Sequence, residues 1–212
     1  MAADMKKAVP DFQLRDPLSP QFWDERFDQG FTPWDRGGVP DALRQFAARS
    51  EPMVCLIPGC GSAYGLAFLS EAGWDVTAID ISPAAVGAAR AAVGVWGERV
   101  LEADFFQFAP ALPLQMIYER AFLCALPRTM WAQVAARWAG LLAPGAVLAG
   151  YFFFDDGLRG PPFGIARAEL DALLLPHFEC VEDVAVDDSI PVFKGKERWM
   201  LWRRRELPGA KG

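Results

Sequence analysis

Apolar residues along this chain fall in short blocks that alternate between two spacings. Positions 53–57 are a continuous apolar run ended by Pro58-Gly59, which predicts a buried strand. Positions 62–72 read as a helix, with Gly73 placed to end it. Positions 74–80 are a second strand, rich in β-branched residues, and Ser82-Pro83 then supplies an N-cap and a first-turn proline for a helix to about position 93. Short strands follow at 100–103 and 116–122. In 127–142 the residues Trp131, Val134, Ala135, Trp138, Leu141 and Leu142 recur at helical spacing, and Pro144-Gly145 is expected to break that helix. A long apolar strand at 146–154, expected to be central, precedes a helix at 166–175 and two late strands at 178–186 and 197–203. Near the start, Ser19-Pro20 opens a short helix in which Trp23 and Phe27 share a face.

Strands that are apolar almost throughout, separated by helices, require a parallel sheet covered on both faces. The last two strands have only a turn-rich stretch between them, so they are expected to form an antiparallel hairpin at the sheet edge. The predicted fold is α/β: a doubly wound, Rossmann-like sheet, mostly parallel. No linker-like composition interrupts it, so residues 1–212 are expected to form one domain, with a segment 1–40 preceding a core at 41–212.

Composition narrows the chemistry. The chain is 52% apolar and 13% aromatic, with 8 Trp and 16 Phe but a single His, His177. That scarcity disfavours a histidine-rich metal site and a histidine-centred triad, and no metal is expected. The net charge of −6 lacks the basic footprint of a nucleic-acid binder. Met1 to Lys7 leads into no apolar leader, and 146–154 is far short of the ~20 residues that cross a bilayer. A cytoplasmic protein, monomeric and acting on a small molecule without a membrane or nucleic-acid partner, is expected. Cys55, Cys60, Cys124 and Cys180 form no Cys-x-x-Cys pair and read as free thiols in the interior.

The strongest local motif is Pro58-Gly59-Cys60-Gly61-Ser62-Ala63-Tyr64-Gly65, between a strand and a helix. Glycines there let the backbone approach a ligand closely. Asp80 lies 21 residues after Gly59, at the end of the second strand, where a carboxylate can accept from both hydroxyls of a ribose. The Gly-x-Gly-x-x-x-Gly spacing differs from the Gly-x-Gly-x-x-Gly of nicotinamide folds. Asp104 followed by Phe105 suits an adenine, the acid accepting from its amine and the ring packing on the base. That combination is typical of S-adenosylmethionine (SAM) sites; a turn role for Asp104 and a core role for Phe105 or Phe106 are the competing readings.

With Phe22-Trp23 to Arg26, Gly30-Phe-Thr-Pro-Trp34-Asp35, Ile57-Pro-Gly-Cys-Gly61, Asp80-Ile-Ser-Pro83, Asp104-Phe-Phe106, Glu119-Arg120-Ala-Phe-Leu-Cys-Ala125 and Gly160-Pro-Pro-Phe163 in this order, the chain resembles the thiopurine S-methyltransferase family, including the closely similar halide/thiol methyltransferases. The resemblance spans nearly the whole chain. It implies a class I SAM-dependent methyltransferase with a seven-stranded sheet whose last strand is antiparallel, and an N-terminal helical lid (1–40) covering the cofactor. It implies that Trp23, Phe27 and Trp34 line the SAM site and that Gly59 and Gly61 pass the methionine moiety. Asp80 would serve the ribose, Asp104 and Phe105 the adenine, and Arg120 the cofactor carboxylate, with Ile81 also at the cofactor. Two positions depart from the family: Phe27 stands where halide/thiol members commonly have Trp, and Phe163 where many members have Tyr, so no phenol is available there.

The implied chemistry is in-line displacement of the SAM methyl by a small soft nucleophile, first of all a thiol. A thiol with a pKa near ~8.5 is partly ionised at neutral pH and needs no strong base. Trp34, Phe154 and Phe163 are the expected substrate walls, with Phe12 and Phe193 as further candidates. Asp155 and Asp156, at the end of the long strand, are candidates for steering or deprotonating an acceptor, against the simpler reading of a solvated pair. His177 is expected to have a structural role at a helix-to-strand corner, and the cations at 194–205 to protect a sheet edge. Halide, thiocyanate or metalloid methylation, a NAD-binding oxidoreductase and a non-catalytic SAM-binding protein remain open alternatives.

Overall fold

A computed structural model describes residues 10–206; the Met1 to Lys7 reading lies outside the described residues. Their elements are α1 (Pro20–Asp28), α2 (Asp41–Ala48), β1 (Val54–Pro58), α3 (Tyr64–Glu71), β2 (Asp75–Asp80), α4 (Pro83–Val93), β3 (Val100–Glu102), β4 (Leu114–Arg120), α5 (Trp131–Leu141), β5 (Leu142–Phe153), α6 (Arg167–Leu174), β6 (Phe178–Ala185) and β7 (Glu197–Arg204). The strands form one seven-stranded sheet in the order β3-β2-β1-β4-β5-β7-β6. β1 to β5 pair in parallel, and β7 runs antiparallel to both β5 and β6.

Period-two alternation sorts the strands' side chains onto two cores. Cys55, Ile57, Met116, Tyr118, Ala149 and Trp199 pack against Leu43, Leu66 and Val86 of α2, α3 and α4. Leu56, Ile117, Leu148, Phe152 and Trp202 pack against Trp131, Trp138 and Leu170 of α5 and α6. The chain order runs outward one way through β1, β2 and β3 and the other way through β4 and β5. A crevice therefore opens beyond the carboxyl ends of β1 and β4, where strand order reverses and open α/β sheets bind ligands.

Several expectations are refined. The Ser82 side chain accepts from the Ala85 N–H at 3.0 Å, as its capping role requires. α3 begins at Tyr64 and not at position 62, because Gly61 (φ +51°) and Ala63 (φ +53°) keep the loop left-handed until then. Pro144-Gly145 does not break the preceding helix, which has already ended at Leu141. The pair lies inside β5, whose first residue, Leu142, is buried and pairs with Leu114 across a register shift. β4, not β5, is the middle strand. α2 was not foreseen; its one turn-to-turn apolar pair, Leu43 and Phe46, is too short a signal.

The basic carboxyl end also departs from its expected role. β7 is interior, and the sheet edge is β6. Arg204 donates from Nε to the Ala139 carbonyl at 2.9 Å, and Arg205 donates from Nε to the Phe178 carbonyl at 2.7 Å. These arginines tie the last strand to the end of α5 and the start of β6 instead of guarding an edge. The His177 carbonyl, at the corner, accepts from the Arg205 N–H at 2.9 Å.

Trp138 is fully buried between α5 and the sheet. Trp138→Ala should cost about 3–5 kcal/mol of stability through lost burial and the remaining cavity. Urea denaturation checks this, with a shift of midpoint at unchanged slope as the expected outcome.

Candidate active site

The crevice is a cavity of about 790 Å³. Its floor comes from the turns after β1, β2, β3 and β4, and its roof from the α1 segment and the loop that follows it. Gly59 needs its missing side chain twice over. Its φ is +56°, and a Cβ would stand 2.5 Å from Cδ2 of Phe122. Two non-glycine residues also hold positive φ among the described residues, Ala63 and Ala121 at +59°, and both line the cavity. Uncommon backbone conformations collected at one site mark it as shaped for a ligand.

Asp80 is 9% exposed at the end of β2. Its Oδ2 accepts from the Gly61 N–H at 3.1 Å and its Oδ1 from the Ser82 N–H at 3.0 Å. Burial pushes its pKa up, against the backbone donors of Ser82, Gly61 and Ile81 that favour the charged form. A carboxylate has about four acceptor positions, so acceptor capacity remains for a ligand. Beside it, Asp104 uses Oδ1 to accept from the Phe106 N–H at 2.8 Å, closing a turn and still lining the cavity. Phe105 is buried, edge-on to Phe122 with centroids 4.9 Å apart. The turn role and the cavity position of Asp104 thus coexist. The residues present fit an adenosine-type cofactor: a cradle that a Cβ would fill, an acid with free acceptor positions, and a second acid beside a ring.

The aromatic roof is built from α1 and the following loop. Trp23 and Trp34 meet edge-to-face at 5.6 Å, and both line the cavity. Trp23 donates from Nε1 to the Pro17 carbonyl at 2.9 Å. Phe27 does not reach the cavity lining; it packs behind, against Trp34 at 6.1 Å and toward Gly61. Gly61 likewise supports the loop whose Gly59, Cys60 and Ser62 line the cavity. Ile81 lines it next to Asp80.

At the β4 end, Arg120 lines the cavity and pairs with Glu197 at the start of β7. Its guanidinium lies 4.7 Å from the Tyr151 ring and 5.4 Å from that of Phe193. Beneath it, Glu119 is 1% exposed and accepts at Oε1 from the N–H groups of Phe122 and Leu123, both at 3.2 Å. Those bonds hold the turn in which Ala121 is left-handed. Burial raises the Glu119 pKa to about 8.

The expected substrate walls are redistributed. Trp34, Phe12 and Phe193 line the cavity, whereas Phe154 and Phe163 do not. Phe154 pairs with Ile165 and packs into the core on the α5 side. Phe163 donates its N–H to the Cys124 carbonyl at 2.7 Å, and its ring lies over Gly160, leaving Gly160, Pro161 and Pro162 to form the wall. Asp155 and Asp156 also lie outside the lining. Asp155 pairs with Lys196 at 3.0 Å, and the hydrogen bond from that lysine holds its carboxyl below the usual range, which suits a solvated ion pair and not a base. Contributions not foreseen come from Tyr118, Cys60, Cys124 and Met130 in the lining and from Glu197 behind Arg120. Both lining thiols have pKa values raised, chiefly by burial. Among the described residues, no helix is long and apolar enough to cross a membrane.

Comparison with solved structures supports this reading of the fold. The chain superposes on a 1,6-didemethyltoxoflavin-N1-methyltransferase from Burkholderia thailandensis, solved with bound 1,6-didemethyltoxoflavin and S-adenosylhomocysteine, at a TM-score of 0.69 and 21% identity, over 93% of this chain and 94% of that one. Sheet order, the glycine loop and the acid at the end of β2 define a class I SAM-dependent methyltransferase. The family model for thiopurine S-methyltransferase matches residues 18–205. A probable thiol methyltransferase of Arabidopsis thaliana is 30% identical, covering 86% of this chain and 84% of the relative. A thiocyanate methyltransferase of the same plant is 26% identical over the same shares. The chain belongs to the thiopurine S-methyltransferase family, and its cofactor is SAM.

Glu119 makes stability depend on pH. Its ordinary value of 4.5 rises to about 8 on folding, so its contribution is complete below about pH 4.5 and is lost as pH rises through 8. Asp80, also raised, acts in the same direction. Stability should fall from pH 5 to pH 8 with a slope from Glu119 of up to about 1.4 kcal/mol per pH unit. Glu119→Gln should flatten that slope, as urea denaturation across the range would measure.

Proposed function

We propose that this protein transfers the methyl group of SAM to the sulfur of a small thiol. The observation that carries this reading is a cavity that offers placement, in which every lining carboxylate of the described residues is already engaged by the protein and no histidine stands. Among the described residues three carboxylates line it, and all accept hydrogen bonds from the protein: Asp35 from Gly37 at 2.7 Å and from Ser62, Asp80 from Gly61 and Ser82, and Asp104 from Phe106. Such a site suits a nucleophile that already arrives ionised, as a thiol with pKa near ~8.5 partly does.

SAM, when bound, supplies an electrophilic methyl on a cationic sulfur. In this proposal Asp80 takes the ribose hydroxyls, Ile81, Asp104 and Phe105 surround the adenine end, and the backbone from Gly59 to Gly61 passes the amino-acid arm. Arg120 faces the cofactor carboxylate, shared with Glu197. Trp23 and Trp34, backed by Phe27, turn polarisable surfaces toward the sulfonium, each worth ~0.5–2 kcal/mol and more when dry. Phe12, Phe193 and the Gly160 to Pro162 wall exclude water from the thiolate, so its hydration gives way to protein contacts. Rate enhancement then comes chiefly from alignment, which can supply ~7–11 kcal/mol. Four free cysteines suit a reducing compartment, and the same proposal takes the protein as a cytoplasmic monomer.

Thiocyanate or a halide is the second reading, favoured by the thiocyanate methyltransferase relative and by the cationic residue Arg26 among those that line the cavity. An acceptor screen with SAM, read by mass spectrometry, separates the two. Methylated aromatic and aliphatic thiols are the expected products; turnover of thiocyanate or iodide alone would overturn thiol methylation. Asp80→Ala should weaken SAM binding at least about tenfold by calorimetry, the loss of hydrogen bonds to a charged acceptor. Unchanged affinity would remove Asp80 from the ribose.

A further inference from the structure

Trp23 and Trp34 reach the cavity from a segment that precedes the glycine loop, so something must set their height above it. One contact stands out on α1. Asp24, next to Trp23, sends its Oδ1 across to the start of α4, accepting from the Ser82 hydroxyl at 2.6 Å and from the Ala84 N–H at 3.0 Å. The Ala84 N–H is one of the donors that a helix start leaves without an internal partner. A carboxylate there also lies favourably in the field of the α4 dipole. Ser82 is fully buried, and its own backbone N–H goes to Asp80. One serine therefore links the acid of the cavity floor to the acid of the roof helix.

Helix geometry makes this contact directional. Successive residues are about 100° apart around a helix, so an Asp24 committed to α4 turns Trp23 toward the cavity. Phe27, one turn on from Trp23, then backs Trp34. Two further ties hold the following loop, Asp35 to Ser62 and Arg36 to Asp188 at 2.9 Å. Neither sits on α1, so neither sets the rotation of that helix.

We propose that Asp24 is a positioning residue that sets the Trp23–Trp34 corner against the cofactor sulfonium. The proposal rests on the reading that these two aromatics face that cation. It separates charge recognition from the rest of cofactor binding. S-adenosylhomocysteine has the same adenosine and amino-acid parts as SAM but no positive sulfur, so a misplaced aromatic corner penalises SAM alone.

The test measures the affinities of both ligands by calorimetry for the wild type, Asp24→Ala, Asp24→Asn and Trp34→Ala. Asp24→Ala should lose about five- to tenfold in SAM affinity, the scale of one cation–π contact, with S-adenosylhomocysteine held to within about twofold. Asp24→Asn keeps an oxygen acceptor for Ser82 and Ala84 and should recover most of the loss. Equal weakening of both ligands by Asp24→Ala, or no change in either, would overturn the proposal and leave Asp24 a helix cap. Trp34→Ala distinguishes the underlying reading. If it leaves the ratio of the two affinities unchanged, the aromatic corner does not sense the cation, and both statements fail. If it shifts the ratio and Asp24→Ala does not, only the role of Asp24 fails.

Discussion

The buried carboxylate of Asp80 is the joint on which this site depends. One of its oxygens holds the glycine loop through Gly61, and the other holds the start of α4 through Ser82. Through the Ser82 hydroxyl the same joint extends to Asp24 and the roof of the cavity. Burial makes the charge costly and pushes its pKa up, and backbone donors offset part of that cost. A residue chosen for stability alone would not be an acid at this depth. Its unused acceptor positions give the acid a reason to be there.

The β4 end of the cavity repeats the pattern with different groups. Arg120 is lodged between Tyr151 and Phe193 and paired with Glu197; among the described residues the Oε2 of Glu197 and the Tyr118 hydroxyl have no hydrogen-bond partner. Glu119 lies below, spending its acceptors on the turn that carries Phe122 and Leu123. Buried ionised and polar groups of this density seldom add net stability. They keep a guanidinium at a defined place beside an otherwise apolar cavity, which a purely hydrophobic floor would not do.

Much of this was legible because it is local. Ser82-Pro83 announces a helix start wherever it stands, and the Ser82 hydroxyl caps α4 as expected. The glycine loop and the acid at the end of β2 follow from strand, loop and helix in succession. Trp23, Trp34, Asp80, Ile81, Asp104, Phe105 and Arg120 all reach the cavity lining. Phe154, Phe163, Asp155 and Asp156 do not, because side-chain direction at a strand end depends on twist and on neighbouring segments. Phe163 illustrates the point: an aromatic after Gly-Pro-Pro reads as a wall, yet its ring covers Gly160 and the prolines face the cavity.

By itself, then, the sequence determined the α/β order, the parallel strands with a closing hairpin, the glycine loop with its acid, and the family to which these belong. Each is written in spacing over a few neighbouring residues, where covalent geometry and burial leave few alternatives. The tertiary structure alone decided that β7 lies inside β6, that Arg120 meets Glu197, and that Asp24 of α1 docks on α4. The last two join residues 77 and 58 positions apart. No local propensity encodes them; they exist only once the sheet has brought its strand ends together.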